Sequence, residues 1–120
     1  MTNSYVVGKV GTERFDRGMR LARSMGFDPT PFPGVFYDES PERFPVIDAE
    51  NPRTLRGEWG CALAHQDVWR RIVADASPAI VFEEDIAITV PPEEARRLID
   101  DELRDHARGA DMVYLGYMRP

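Results

Sequence analysis

Residues 79–86 read AIVFEEDI, three apolar residues and a phenylalanine running directly into Glu83, Glu84 and Asp85. The apolar half has the make-up of a strand buried on both faces, the kind found inside a parallel sheet. The three carboxylates repel one another, and burying such a group costs several kcal/mol unless a partner offsets it. Either the turn is solvated or a cation sits there. Ligands in open α/β sheets bind at the carboxyl ends of strands, so the position keeps the second reading open.

Helical patterns flank this strand on both sides. GEWGCALAHQDVWRRIVADA (57–76) predicts the best helix of the chain, with Cys61, His65, Val68, Trp69, Ile72, Val73 and Ala76 as one apolar stripe. TVPPEEARRLIDDELRDHARG (89–109) predicts the next, with prolines at its start and Glu93 and Glu94 at the positive end of its dipole. Its inward residues are Ala95, Leu98, Ile99, Leu103 and Ala107. DMVYLGYM (111–118) predicts a last strand, whose exposed edge is a candidate for pairing two copies into a homodimer.

At the other end, SYVVGKV (4–10) predicts a first strand. Thr12 is placed to cap a helix carrying Phe15, Met19, Ala22 and Met25 on one side, and Gly26 stops it. Residues 28–52 hold six of the ten prolines, which excludes a long helix there. GVFY and FPVID are expected as short extended pieces along a sheet edge. The alternation of strands and helices predicts one α/β domain over residues 1–120 with a mainly parallel sheet.

A net charge of −6 argues against a nucleic-acid partner, which would need a basic surface. Lys9 is the only lysine among 15 basic residues. No apolar run reaches the ~20 residues of a transmembrane span, and the N-terminus lacks the basic and apolar regions of a signal peptide. A single cysteine, Cys61, suits a reducing compartment. The expectation is a soluble, cytoplasmic protein.

Hard divalent cations such as Mg²⁺ or Mn²⁺ take oxygen ligands, commonly one or two carboxylates plus substrate phosphates. Glu83 and Asp85, two residues apart at a strand end, form a candidate metal pair, with Glu84 as a local alternative. Arg14 and Arg17, one helical turn apart, either meet a nucleotide and its phosphates or are surface arginines of an amphipathic helix. Glu58 either caps its helix or reaches a sugar. His65 is a core histidine or lies beneath a nucleotide. Cys61 reads as a small buried residue, and Trp59 and Trp69 as packing residues.

Three stretches together carry a resemblance: Gly57, Glu58, Gly60, Cys61, His65 and Trp69; then Phe82 to Ile86; then Asp111, Val113, Tyr114, Leu115 and Gly116. In that order and spacing they resemble glycosyltransferase family 25, which includes lipooligosaccharide glycosyltransferases and collagen galactosyltransferases. The triplet here is Glu-Glu-Asp where the family usually has Glu-Asp-Asp, and family members run further past the Y-L-G strand.

The resemblance implies a GT-A-like, Rossmann-like nucleotide-sugar-binding layer, here truncated to a donor-binding half-domain. It implies transfer of a sugar from a UDP-sugar, UDP-galactose among them, to a hydroxyl of a glycan or lipid-linked acceptor, with inversion. It further implies a divalent cation, Mn²⁺ or Mg²⁺, held by Glu83 and Asp85. Arg14, Arg17, Glu58 and Glu84 are then the nucleotide-sugar-binding candidates, and no catalytic base is assigned. The alternative is a non-catalytic donor-binding or partner-binding remnant of such an enzyme. A phosphoryl-transfer domain is excluded, since the first strand ends in Lys9 and Gly11 rather than in acids and no later lysine exists.

Overall fold

A computed structural model describes residues 2–45 and 52–116. Three strands, β1 (Asn3–Gly8), β2 (Thr30–Pro33) and β3 (Ala79–Glu83), form one sheet in the order β2-β1-β3, with both pairings parallel. Three α-helices accompany it: α1 (Glu13–Ser24), α2 (Pro52–Asp75) and α3 (Pro92–His106). The architecture is a small α/β layer of Rossmann-like type. Between β2 and β3 the chain crosses to the other side of β1, so strand order reverses at the β1/β3 boundary.

β1 is central because its side chains are apolar in both directions. Val6 joins Phe15, Met19, Ala22, Met25, Phe27, Ile80, Phe82 and Ala95 in a core beneath α1 and α3. Tyr5 and Val7 point the other way, into a second core with Val35, Ala64 and Val68 of α2. Val6 and Val68 are fully buried, and each such side chain contributes roughly 1.5–3 kcal/mol by leaving water.

α1 forms as the spacing predicts. The Thr12 hydroxyl accepts from the Phe15 N–H at 3.2 Å and donates to the Lys9 carbonyl at 2.8 Å, closing the start. At the other end the Gly26 N–H donates to the Arg23 carbonyl and the Phe27 N–H to that of Ala22. Gly26 has φ +85°, so the helix stops in a left-handed glycine turn. Arg96 of α3 then donates to the Met25 carbonyl and stacks on the Phe27 ring, docking α3 onto that turn.

Several expectations are corrected. The edge strand is Thr30–Pro33, not GVFY, which lies outside the sheet. Prolines are tolerated in β2 because the Gly34 N–H donates to the Gly8 carbonyl. Counting back in twos, Pro33 and Pro31 fall on outward positions where no N–H is used. FPVID forms no strand at Phe44 and Pro45, and its remainder lies outside the described residues.

α2 begins at Pro52 rather than Gly57; of the expected stripe Val68 is buried and Ile72 packs on the core, but Gly60 and Ala64 replace Cys61 and His65 on the buried face. Trp69 and Val73 are exposed, as is Leu98 on α3. Residues 111–116 form no strand, and Tyr114 is 80% exposed, because a β-prone run needs a ladder partner. Met118 and Tyr117 lie outside the described residues. The edge expected to pair two copies is therefore not formed among the described residues, and β3 is the outer strand on that side.

One ion pair ties the irregular segment to α2. Arg43 grips Asp67 with two nitrogens at 2.7 and 2.8 Å. Hydrogen bonding from Arg43 holds the Asp67 carboxyl below its ordinary value. A depressed carboxylate adds stability above its unfolded pKa of about 3.9 and loses it as pH falls through the folded value. An NMR titration should therefore place the Asp67 midpoint below about 3.9, and Arg43→Ala should move it back up; an unmoved midpoint would show that the grip does not persist in solution.

Candidate active site at the carboxyl ends of β1 and β3

The carboxyl ends of β1 and β3 lie side by side, at the end of the sheet where open α/β sheets bind ligands. Two segments meet there: the Gly8–Thr12 turn leading into α1, and the acidic turn Glu83-Glu84-Asp85. Glu84 joins them. Its N–H donates to the Val7 carbonyl at 3.0 Å, extending the β1/β3 ladder by one bond. Its carboxylate accepts from the Lys9 N–H at 2.9 Å.

Two glycines make room for this joint. A Cβ on Gly8 would overlap the Glu84 side chain, and one on Gly18 would stand 2.7 Å from the Glu84 carbonyl oxygen. The acidic turn thus lies directly against the first turns of α1.

The structure sends the three carboxylates in different directions. Strand alternation turns Glu83 towards α2, where the Nε2–H of His65 donates to its Oε1 at 2.9 Å and the Cys61 thiol lies 3.8 Å away. Asp85 faces α1, and Arg14 donates to it at 3.4 Å. Arg14 also approaches Glu84 at 3.8 Å. These Arg14 pairs are exposed, and pairs of that kind contribute about 0–1 kcal/mol. Arg17 is exposed and makes no ion pair among the described residues. Glu58, expected ahead of α2, lies inside the helix and is exposed.

Glu83 and Asp85 each leave about half of the side chain open to solvent, at 54% exposure. A half-solvated carboxylate suits a hard cation that keeps several of its waters. The set is open rather than a closed cage, since Arg14 shares Asp85 and His65 shares Glu83.

Cys61 is exposed rather than buried, with its sulfur turned towards Glu83. Partial burial and the neighbouring Glu83 charge push its thiol above the ordinary value, so it is protonated at neutral pH. The His65–Glu83 link was not anticipated, and neither was the joint made by the Lys9 N–H. Cys61 and His65, four residues apart, share one face of α2, a spacing visible in the sequence.

A polar pocket of about 320 Å³ opens at the opposite, amino end of the strands, lined by Tyr5, Phe27, Arg71, Asp75 and Arg96 among others. Its arginines are already partnered, Arg71 by Asp75 and Arg96 by Asp100. The carboxyl ends of β1 and β3, with the acidic turn and Arg14, are the better candidate.

A family model described as glycosyltransferase family 25 (LPS biosynthesis protein) matches residues 45–109, more than half of the chain. The chain belongs to glycosyltransferase family 25. No curated protein and no solved structure matches it. The matched stretch contains α2, β3, the acidic turn and α3, hence Glu58, Cys61, His65, Glu83, Glu84 and Asp85. Arg14, Arg17 and residues 111–116 lie outside it. Membership in family 25 implies a nucleotide-sugar donor and an acceptor as substrates. No helix among the described residues is long and apolar enough to cross a membrane.

The Gly18 contact carries a prediction. Gly→Ala within a helix ordinarily gains up to about 1 kcal/mol. Here the added methyl must displace backbone, at roughly 1–3 kcal/mol. Gly18→Ala should therefore lower the thermal midpoint; a raised midpoint would mean that the acidic turn does not rest on α1.

Proposed function

We propose that the carboxyl ends of β1 and β3 bind the diphosphate of a UDP-sugar, with UDP-galactose the first donor to try. The sugar is transferred with inversion to a hydroxyl of a glycan or lipid-linked acceptor in lipopolysaccharide synthesis. On this reading the three-stranded layer is the nucleotide-binding part of a GT-A fold. The observation that carries it is the placement of the acidic turn at the strand-order reversal, against α1 and within reach of Arg14.

Asp85 would hold a divalent cation, Mn²⁺ or Mg²⁺, together with donor phosphate oxygens; Glu83, expected as its partner ligand, is turned towards His65 of α2. Such an ion supplies positive charge to the diphosphate leaving group as the glycosidic bond to the donor breaks. Glu84 acts differently from its neighbours: committed to the Lys9 N–H, it holds the β1 turn and the acidic turn together. Arg14 is the cation nearest the carboxylates and meets the donor phosphates, with Arg17 one helical turn further along. Glu58 lies on α2 one turn before Cys61 and would contact the sugar or the acceptor from that side.

Titrating UDP into the protein with and without Mn²⁺ tests the reading. Wild type should bind UDP only with the metal. Asp85→Asn should weaken that binding by at least tenfold, since even partners of metal ligands are worth about 10–100-fold. A folded wild type that takes up no UDP with Mn²⁺ would rule it out.

A further inference from the structure

Cys61, His65 and Glu83 bring a thiol sulfur, an imidazole nitrogen and a carboxylate oxygen to within 4.8 Å of one another. We propose that these three side chains bind a borderline-soft divalent cation, zinc above all, at a site separate from the hard-cation site proposed at Asp85. Cys61 and His65 are one turn apart on the same face of α2, and Glu83 comes from the end of β3. The donors thus project from two regular elements packed on one core rather than from loops.

The distances suit such an ion. With zinc bonds of about 2.3 Å to sulfur and about 2.0–2.1 Å to nitrogen or oxygen, tetrahedral edges are about 3.6 Å for S···O and about 3.3 Å for N···O. The observed separations are 3.8 Å for Cys61 Sγ to Glu83 Oε1 and 2.9 Å for His65 Nε2 to the same oxygen. Side-chain adjustment of about half an ångström would bring these two edges to zinc geometry, and the sulfur lies within 4.8 Å of the imidazole nitrogen.

The ligand types also select the metal. Thiolate and imidazole favour zinc over magnesium or manganese, which prefer carboxylate, carbonyl and water. On binding, the sulfur–metal bond replaces the Cys61 S–H bond and the proton leaves to solvent. Because Cys61 is exposed and Glu83 about half exposed, the fourth position opens to solvent and accepts water or a ligand heteroatom.

The test uses metal alone on the full chain. Co²⁺ as a spectroscopic substitute should give a thiolate-to-metal charge-transfer band saturating at one ion per chain, and added Zn²⁺ should bleach it. Cys61→Ser should abolish the band and weaken Zn²⁺ binding, read by competition with a chromophoric chelator, by at least about tenfold. His65→Gln should weaken it comparably, with circular dichroism confirming that both variants are folded. Asp85→Asn, outside the donor set, should keep the band even though it removes a ligand of the donor-site cation. Loss of Mn²⁺-dependent UDP binding with the cobalt band intact would therefore bear on the donor reading alone. A wild type without a stoichiometric cobalt band, or Zn²⁺ affinity unchanged in Cys61→Ser, would overturn the proposal.

Discussion

Glu84 bridging the ends of β1 and β3 is the constraint on which the site depends. Its N–H belongs to the ladder and its carboxylate to the Lys9 N–H, while Gly8 and Gly18 leave the space in which it sits. A carboxylate anchored at both its backbone and its side chain fixes the turn relative to the start of α1. Its neighbours, Glu83 and Asp85, are then directed to opposite sides of the sheet, and the exposed ends of an otherwise buried strand become available for chemistry. The stability behind this geometry comes from the two apolar cores, since the surface ion pairs of α2 and α3 are largely solvated.

Splitting the acidic triplet gives its members different partners. Asp85 is matched with an arginine, as a carboxylate awaiting a cation would be, whereas Glu83 is matched with a histidine and a thiol. On the proposed reading, the acidic turn at the strand end faces the nucleotide-sugar that family 25 membership implies. The Cys61 and His65 side of Glu83 is a separate chemical environment, softer and built on α2. If both proposals hold, one strand terminus serves two kinds of cation chemistry, with Glu84 between them as the structural member.

Much of this was legible in the residues. Thr12, the spacing of Phe15, Met19 and Ala22, and Gly26 mark α1 at both ends, and AIVF reads directly as a strand, although among the described residues β3 is an outer strand in which only Ile80 and Phe82 are buried. The buried face of α2 was not legible by hydrophobicity, because Gly60 and Ala64 are small while Cys61 and Trp69 score as apolar. Close approach of backbone, here of the Val35 carbonyl to Gly60, decides which face turns inward. β2 was obscured by its prolines, whose tolerance depends on which N–H groups face outward. The tail at residues 111–116 shows the opposite failure, a strand-like composition without a neighbouring strand. The acidic turn itself was found from sequence; its joint to Lys9 was not, because a backbone donor carries no residue signature.

The most direct test of the account is a map of backbone amide chemical shifts during titration with UDP and Mg²⁺, a diamagnetic ion. The account predicts that the perturbed amides cluster at Gly8–Thr12, Arg14 and Glu83–Ile86, around the carboxyl ends of β1 and β3. Perturbations confined to the amino-end pocket, at Ser4, Tyr5, Arg71 and Arg96, or none at saturating ligand, would contradict it.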